Sequence, residues 1–156
     1  MQKINSISIV IPLYNEEDNI RDVYYRINAA LSHLELSYEI IIVDDGSKDK
    51  TYEIIKSLQA KDKHIKIIRL ARNFGQLNAL LAGFDFAKGE VIITMDGDLQ
   101  NDPNDIPKFL HKIREGFDLV SGWRYKRNDS LSRRLLSKVA GWFIERKTGM
   151  TLHDYG

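Results

Sequence analysis

The 156-residue chain contains no cysteine. Disulfides, cysteine-ligated zinc and a thiol nucleophile are therefore excluded, and the composition suits a reducing compartment. An excess of either charge is also missing. Lys and Arg number 23 against 22 Asp and Glu, a net charge of +1. No global field thus favours nucleic acid as a partner. No run approaches the ~20 apolar residues of a membrane span. The N-terminal MQKINSISIVIP lacks the long apolar region of a signal peptide. No internal repeat, low-complexity tract or linker divides the chain, and its length fits a single domain, 1–156, with a real core. It stops abruptly at HDYG without a closing element, so a longer chain is expected. The four histidines show no ligand spacing, and only His153, beside Asp154, stands near usable chemistry.

What is present is an alternation of strand and helix signals. Strands are expected at Ser6–Pro12, Tyr38–Val43, Ile65–Leu70, Val91–Met95 and Asp118–Gly122. Helices are expected at Asn15–Leu34, Asp49–Ala60, Gly75–Ala87, Pro103–Glu115 and Leu131–Lys147. Such alternation implies an α/β domain with a mostly parallel, Rossmann-like sheet flanked by helices. The apolar runs fit strands buried on both faces. Ligands of such sheets bind beyond the carboxyl ends of the strands. Three polar clusters fall at those ends: PLYNEE, DDGSKDKT and DGDLQ. A dinucleotide dehydrogenase is disfavoured, because no G-x-G-x-x-G follows the first strand.

The third cluster is the sharpest. Asp96 and Asp98 stand two residues apart after an apolar strand, where like charges repel and lose water. A divalent cation takes hard oxygen ligands, Gly97 allows the chain to turn, and Gln100 offers an amide oxygen. Asp and Gly are also common in solvated turns. The position beside two other polar strand ends favours the metal. In the second cluster, Asp44 and Asp45 argue against a bare phosphate cradle and suit a base N–H or a ribose hydroxyl. Ser47 or Asp49 can also cap the following helix. In the first, Tyr14 can stack on a base and Glu16 can accept a hydrogen bond, or Asn15 can simply cap a helix. Arg69, Arg72, Asn73 and Gln76 suit diphosphate or sugar, or a solvated loop. Gly122–Arg127 brings three cations near the expected metal, which an anionic ligand would reconcile. Residues 130–148 form a basic amphipathic stretch. Leu131, Leu135, Val139, Trp142 and Phe143 lie near one face, and Arg133, Arg134, Lys138, Arg146 and Lys147 supply charge. Core packing and a membrane-surface role both fit that pattern.

Together SIVIPLYNEE, EIIIVDDGSKDKT, ARNFGQ, GEVIITMDGDLQNDP and VSGWRY resemble the glycosyltransferase family 2 catalytic domain of GT-A fold. Within it, they are most similar to the polyprenyl-phosphate glycosyltransferases, and SRRLLSKVAGWFIERKTG with LHDYG is like their bacterial branch. The resemblance implies inverting transfer of a sugar from a nucleotide-diphosphate sugar, UDP-linked by preference over GDP, to undecaprenyl phosphate. By motif it assigns Pro12, Tyr14, Glu16, Val43 and Asp45 to base and ribose. Asp96, Asp98 and Gln100 fall to Mg²⁺ or Mn²⁺ and diphosphate, Arg124 and either Arg133 or Arg134 to phosphate, and Asp154 to the reaction centre. It further implies a C-terminally truncated catalytic domain at the cytoplasmic face of the membrane, drawn to its anionic surface. The full-length chain would be anchored there, and relatives often self-associate. Two rivals follow from the same residues: a family 2 transferase that extends a polysaccharide on a sugar hydroxyl, and a non-catalytic nucleotide-binding fragment.

Overall fold

A computed structural model of the chain describes residues 3–122. Residues up to Asp118 form one compact unit, and a second begins at Leu119. The first unit contains four strands: β1 (Ser6–Leu13), β2 (Ser37–Asp44), β3 (Ile65–Arg69) and β4 (Val91–Thr94). Between them run α1 (Ile20–Leu31), α2 (Thr51–Gln59) and α3 (Gln76–Phe86). A 3₁₀ turn at Pro103–Asp105 leads into α4 (Ile106–Arg114), with Pro103 at its first position.

All three strand pairings are parallel and the order is β3-β2-β1-β4. In the central strand, Ile9 sits opposite Ile40 on one side and Ile93 on the other. Alternation along β1 and β2 then sorts side chains onto two faces. Ile7, Ile9, Ile11, Ile40 and Ile42 join Ile20, Ile27 and Leu31 of α1, Ile55 of α2 and Leu110 of α4 in the larger core. Val10, Ile41 and Val43 face the opposite way and pack with Ala79 of α3. Helix α3 can lie this close because Gly83 has no side chain: a Cβ there would stand 2.3 Å from Val10 Cγ1. β1 and β2 are buried on both faces, as their apolar runs require. β4 is not: Val91 and Ile93 turn inward while Ile92 and Thr94 are exposed.

Two expected elements are corrected. Helix α1 begins at Ile20, not Asn15, because Asn15 is held at φ 55°, outside helical space. Asp118–Gly122 forms no strand among the described residues. An apolar run becomes a strand only with a ladder partner, and none pairs with it there. The expected helix at Leu131–Lys147 lies outside the described residues, as does the basic stretch 130–148.

A buried polar group ties the strand starts together. Ser8 on β1 is fully buried, and its hydroxyl donates to Glu39 Oε1 (2.6 Å) while accepting from the Gly89 amide (2.8 Å). Glu39 also accepts from the Lys88 amide and from Lys66. Burial pushes the Glu39 carboxyl up, but hydrogen bonds from Lys66, Ser8 and Lys88 outweigh it and hold the group below its usual range. A carboxyl lowered on folding stabilises the native state above its unfolded pKa, ~4.3, and that contribution vanishes as pH falls through the folded value. Glu39→Gln is therefore expected to cost about 1–2 kcal/mol at pH 7. Urea titrations should show the gap between wild type and variant closing as pH falls below ~4. A gap independent of pH would refute this ionic role.

Candidate functional site

The chain runs β1 to β2 to β3 in one direction across the sheet, then returns past β1 to place β4 on its other side. This reversal makes the crevice between β1 and β4 the topological switch point, where α/β sheets bind ligands beyond the strand ends. A cleft of about 290 Å³ lies there. Its first wall is Pro12, Leu13, Tyr14 and Glu16 following β1. Asp45, Asn73 and Gln76 form the second, and Asp96–Asp98 after β4 form the third. Three sequence clusters that are far apart in the chain are thus brought to one place.

The carboxylates at its β4 side are individually fixed. Asp96 Oδ1 accepts from Gln76 Nε2 (2.7 Å), and its amide donates to Asn101 Oδ1 (2.8 Å). Asp98 Oδ1 accepts from the Gln100 amide (3.0 Å). Among the described residues, neither Oδ2 has a hydrogen-bond partner. Two anionic oxygens are left free in the cleft, a donor set that suits a hard divalent cation. Asp96 and Asp98 are the carboxylates that would hold Mg²⁺ or Mn²⁺; among the described residues no group of three or more His, Cys, Asp or Glu gathers, so the other ligands would have to come from diphosphate or water. Gln100 meets Asp98 through its main-chain amide but does not line this cleft. Leu99, at φ 64°, turns the chain in a conformation rare for a bulky residue. Gln100 then lines a separate cleft of about 430 Å³ with Arg26 and Asn101.

The neighbouring acidic pair works differently. Asp45 is almost fully buried, and its two oxygens accept from the amides of Phe74 (2.8 Å) and Gly75 (2.9 Å). It therefore anchors the loop that carries Asn73 and Gln76. A carboxylate has about four lone-pair sites, so capacity remains on the cleft side. Asp44 is fully buried; Oδ1 accepts from the Ser47 amide, and Oδ2 lies 3.4 Å from Arg69 Nε, long for a hydrogen bond but close for a charge pair. Arg69 in turn stacks over Tyr52 at 4.0 Å and Arg72 over Phe74 at 4.8 Å. Of the four residues around the third strand end, Asn73 and Gln76 line the cleft and the two arginines do not. Val43 does not line it either, because its side chain is fully buried against α3.

Arg124, Arg133, Arg134 and Asp154 lie outside the described residues. In sequence, Ser47 or Asp49 reads only as a helix cap and Thr51 has no assigned role, yet all three side chains have another use. Their side chains bond the loop after β1. The available signal was a run of short oxygen-bearing side chains longer than one helix cap needs.

The parallel strand order and the helices that flank it are those of the GT-A fold. The chain belongs to glycosyl transferase family 2, whose sequence model matches residues 8–154. It is 44% identical over 154 residues to an undecaprenyl-phosphate 4-deoxy-4-formamido-L-arabinose transferase of Salmonella paratyphi A, covering 98% of this chain and 47% of that one. The protein of the same description from Shewanella sediminis is 44% identical over 156 residues, covering 99% and 47%. The chain thus spans about half the length of these relatives. Among solved structures, S. aureus TarS 1-349 in complex with UDP-GlcNAc superposes with a TM-score of 0.61 at 20% identity, over 80% of this chain and 37% of that one. A mannosyltransferase from Pyrobaculum calidifontis in complex with GDP-Man and Mn²⁺ gives 0.56 at 20% identity, over 64% and 29%. At such identities the likeness is one of fold.

Proposed function

We propose that this chain is the donor-binding part of an inverting glycosyltransferase that moves a sugar from a nucleotide-diphosphate sugar to a polyprenyl phosphate. The observation that carries the reading is the cleft itself, which sets Tyr14 and Glu16 across from two carboxylates with free oxygens. Tyr14 is 38% exposed, open enough for its ring to receive a base. Glu16 accepts from Asn19 Nδ2 (2.7 Å), which orients its carboxylate for a base N–H. A bound Mg²⁺ or Mn²⁺ on Asp96 and Asp98 would supply Lewis-acid stabilisation of the departing diphosphate.

The 44% identity to undecaprenyl-phosphate sugar transferases supports the acceptor. A phosphate monoester has its second pKa near ~6, so such an acceptor is already largely ionised at neutral pH. It needs cations to position it more than a strong base, a task suited to Arg124 and to Arg133 or Arg134. Asp154 is then a residue of the reaction centre rather than an obligatory base. No helix among the described residues is long and apolar enough to cross a membrane. Access to a lipid acceptor would come through the basic stretch 130–148 at the anionic cytoplasmic surface.

The test is transfer. UDP-linked glucose, N-acetylglucosamine and 4-deoxy-4-formamido-L-arabinose, with GDP-mannose as control, are offered with undecaprenyl phosphate in anionic vesicles or with an oligosaccharide. Labelled lipid-linked sugar from one donor is the expected product. Transfer to the oligosaccharide alone would replace the lipid reading by polysaccharide extension.

A further inference from the structure

The loop after β1 carries Tyr14 and Glu16 yet is not helical, since α1 starts only at Ile20. Something else must hold it. Three consecutive amides of this loop donate to three side chains, two on the loop after β2 and one on the first residue of α2. Asn15 N bonds Ser47 Oγ (3.0 Å), Glu16 N bonds Thr51 Oγ1 (2.8 Å) and Glu17 N bonds Asp49 Oδ2 (3.2 Å). Two amides return the contact: Lys48 N donates to Asn15 Oδ1 (2.9 Å) and Lys50 N to Glu17 Oε2 (2.9 Å). Ser47 and Thr51 are buried, so the bonds at their hydroxyls are shielded from water. Asn15 sits at φ 55°, and such strain persists only where the surroundings over-determine it. Here its amide and its side chain are both engaged.

We propose that Thr51, with Asp49 and Ser47, is a positioning residue for nucleotide recognition: a clasp that touches no ligand but fixes the backbone from which Tyr14 and Glu16 enter the cleft. This rests on the nucleotide reading of that cleft. The stretch GSKDKT thereby gains a purpose beyond capping α2. Removing the Thr51 hydroxyl leaves the Glu16 amide without its partner and frees the segment to sample other conformations. The nucleotide must then reorder the loop on binding, which lowers its affinity.

Thr51→Val keeps shape and removes the hydroxyl, whereas Thr51→Ser keeps the hydroxyl. UDP and GDP binding are measured by calorimetry. Hydrogen exchange of the Asn15, Glu16 and Glu17 amides is followed in the absence of ligand. The valine variant is expected to bind about tenfold more weakly and to exchange at these amides at least tenfold faster, with core amides of β1 unchanged. The serine variant should match wild type in both. Wild-type affinity in a valine variant whose loop exchanges faster overturns the positioning role and leaves a merely structural contact. Unchanged exchange overturns the clasp. A wild-type chain that binds neither nucleotide overturns the cleft reading and the positioning role with it. The exchange data, which need no ligand, tell that failure from failure of the clasp. Should the valine variant not fold, Ser47→Ala asks the same question at the Asn15 amide.

Discussion

Asp98→Asn is expected to abolish metal-dependent nucleotide binding while leaving the fold intact. Asp98 is exposed, and its Oδ1 accepts from the Gln100 amide, a bond that an asparagine oxygen can still accept. What the substitution removes is charge, at a position whose second oxygen is otherwise free among the described residues. A divalent cation held there would lose one of its anionic ligands. We expect UDP affinity in Mn²⁺ to fall by roughly two orders of magnitude, about 2.8 kcal/mol. Asp96→Asn should do the same, and EDTA should bring the wild type to the level of both variants. Calorimetry with UDP and GDP, each in Mn²⁺, Mg²⁺ and EDTA, reads all of this in one series. Thermal unfolding would show that both variants are folded. Gln100→Ala separates two descriptions of the site. With Gln100 in the neighbouring cleft, its loss should change affinity by less than threefold, whereas a metal ligand would cost tenfold or more. Nucleotide binding indifferent both to EDTA and to Asp98→Asn would remove the metal from the site altogether.

The strands were legible because each is a short β-branched run, and buried parallel strands demand little else of a sequence. The place of the site was legible for a related reason: PLYNEE, DDGSKDKT and DGDLQ follow strands, and in a parallel sheet all strand ends share one edge. What could not be read was which polar side chain serves the ligand and which serves the fold. Asp44 and Asp45 are adjacent in sequence, yet one is sealed beneath Arg69 and the other holds the amides of Phe74 and Gly75. Their chemistry is identical, and only tertiary position separates them. The start of α1 was misread for the same reason. Asn15, Glu16 and Glu17 have the composition of a first helical turn, but Asn15 stands at φ 55° and side chains that follow β2 hold all three amides in a non-helical path. That Gln100 lines the neighbouring cleft follows a single left-handed residue, Leu99, to which no propensity points.

Gly46→Ala is expected to be strongly destabilising, because a positive φ and a main-chain clash coincide at this position. The backbone there stands at φ 70°, a region that costs an L-residue about 1–2 kcal/mol. Space adds a second penalty. The new Cβ would lie 2.5 Å from the Arg72 carbonyl carbon, 2.7 Å from Arg72 Cα and 2.8 Å from the Asn73 amide. All three are main-chain atoms, so no rotamer change relieves the contact and the two loops must part. Their parting is opposed on both sides of the glycine. Asp45, just before it, is bonded to Phe74 and Gly75, and Ser47, just after it, to Asn15. Overpacking of this kind costs a further ~1–3 kcal/mol, for a sum of about 2–5 kcal/mol. For a chain near this length that corresponds to a loss of roughly 5–15 °C in Tm. Gly116→Ala is the matched comparison. Gly116 also has positive φ, 107°, but a Cβ there would meet nothing within 4 Å. It should show the conformational cost alone, and no loss of nucleotide affinity below its Tm. Gly46→Ala should lose affinity even where it remains folded, because the loop after β3 carries Asn73 and leads to Gln76, and the loop after β2 holds the segment that bears Tyr14 and Glu16. Equal destabilisation by the two alanines would show that the loops after β2 and β3 are not in the close contact that builds the cleft.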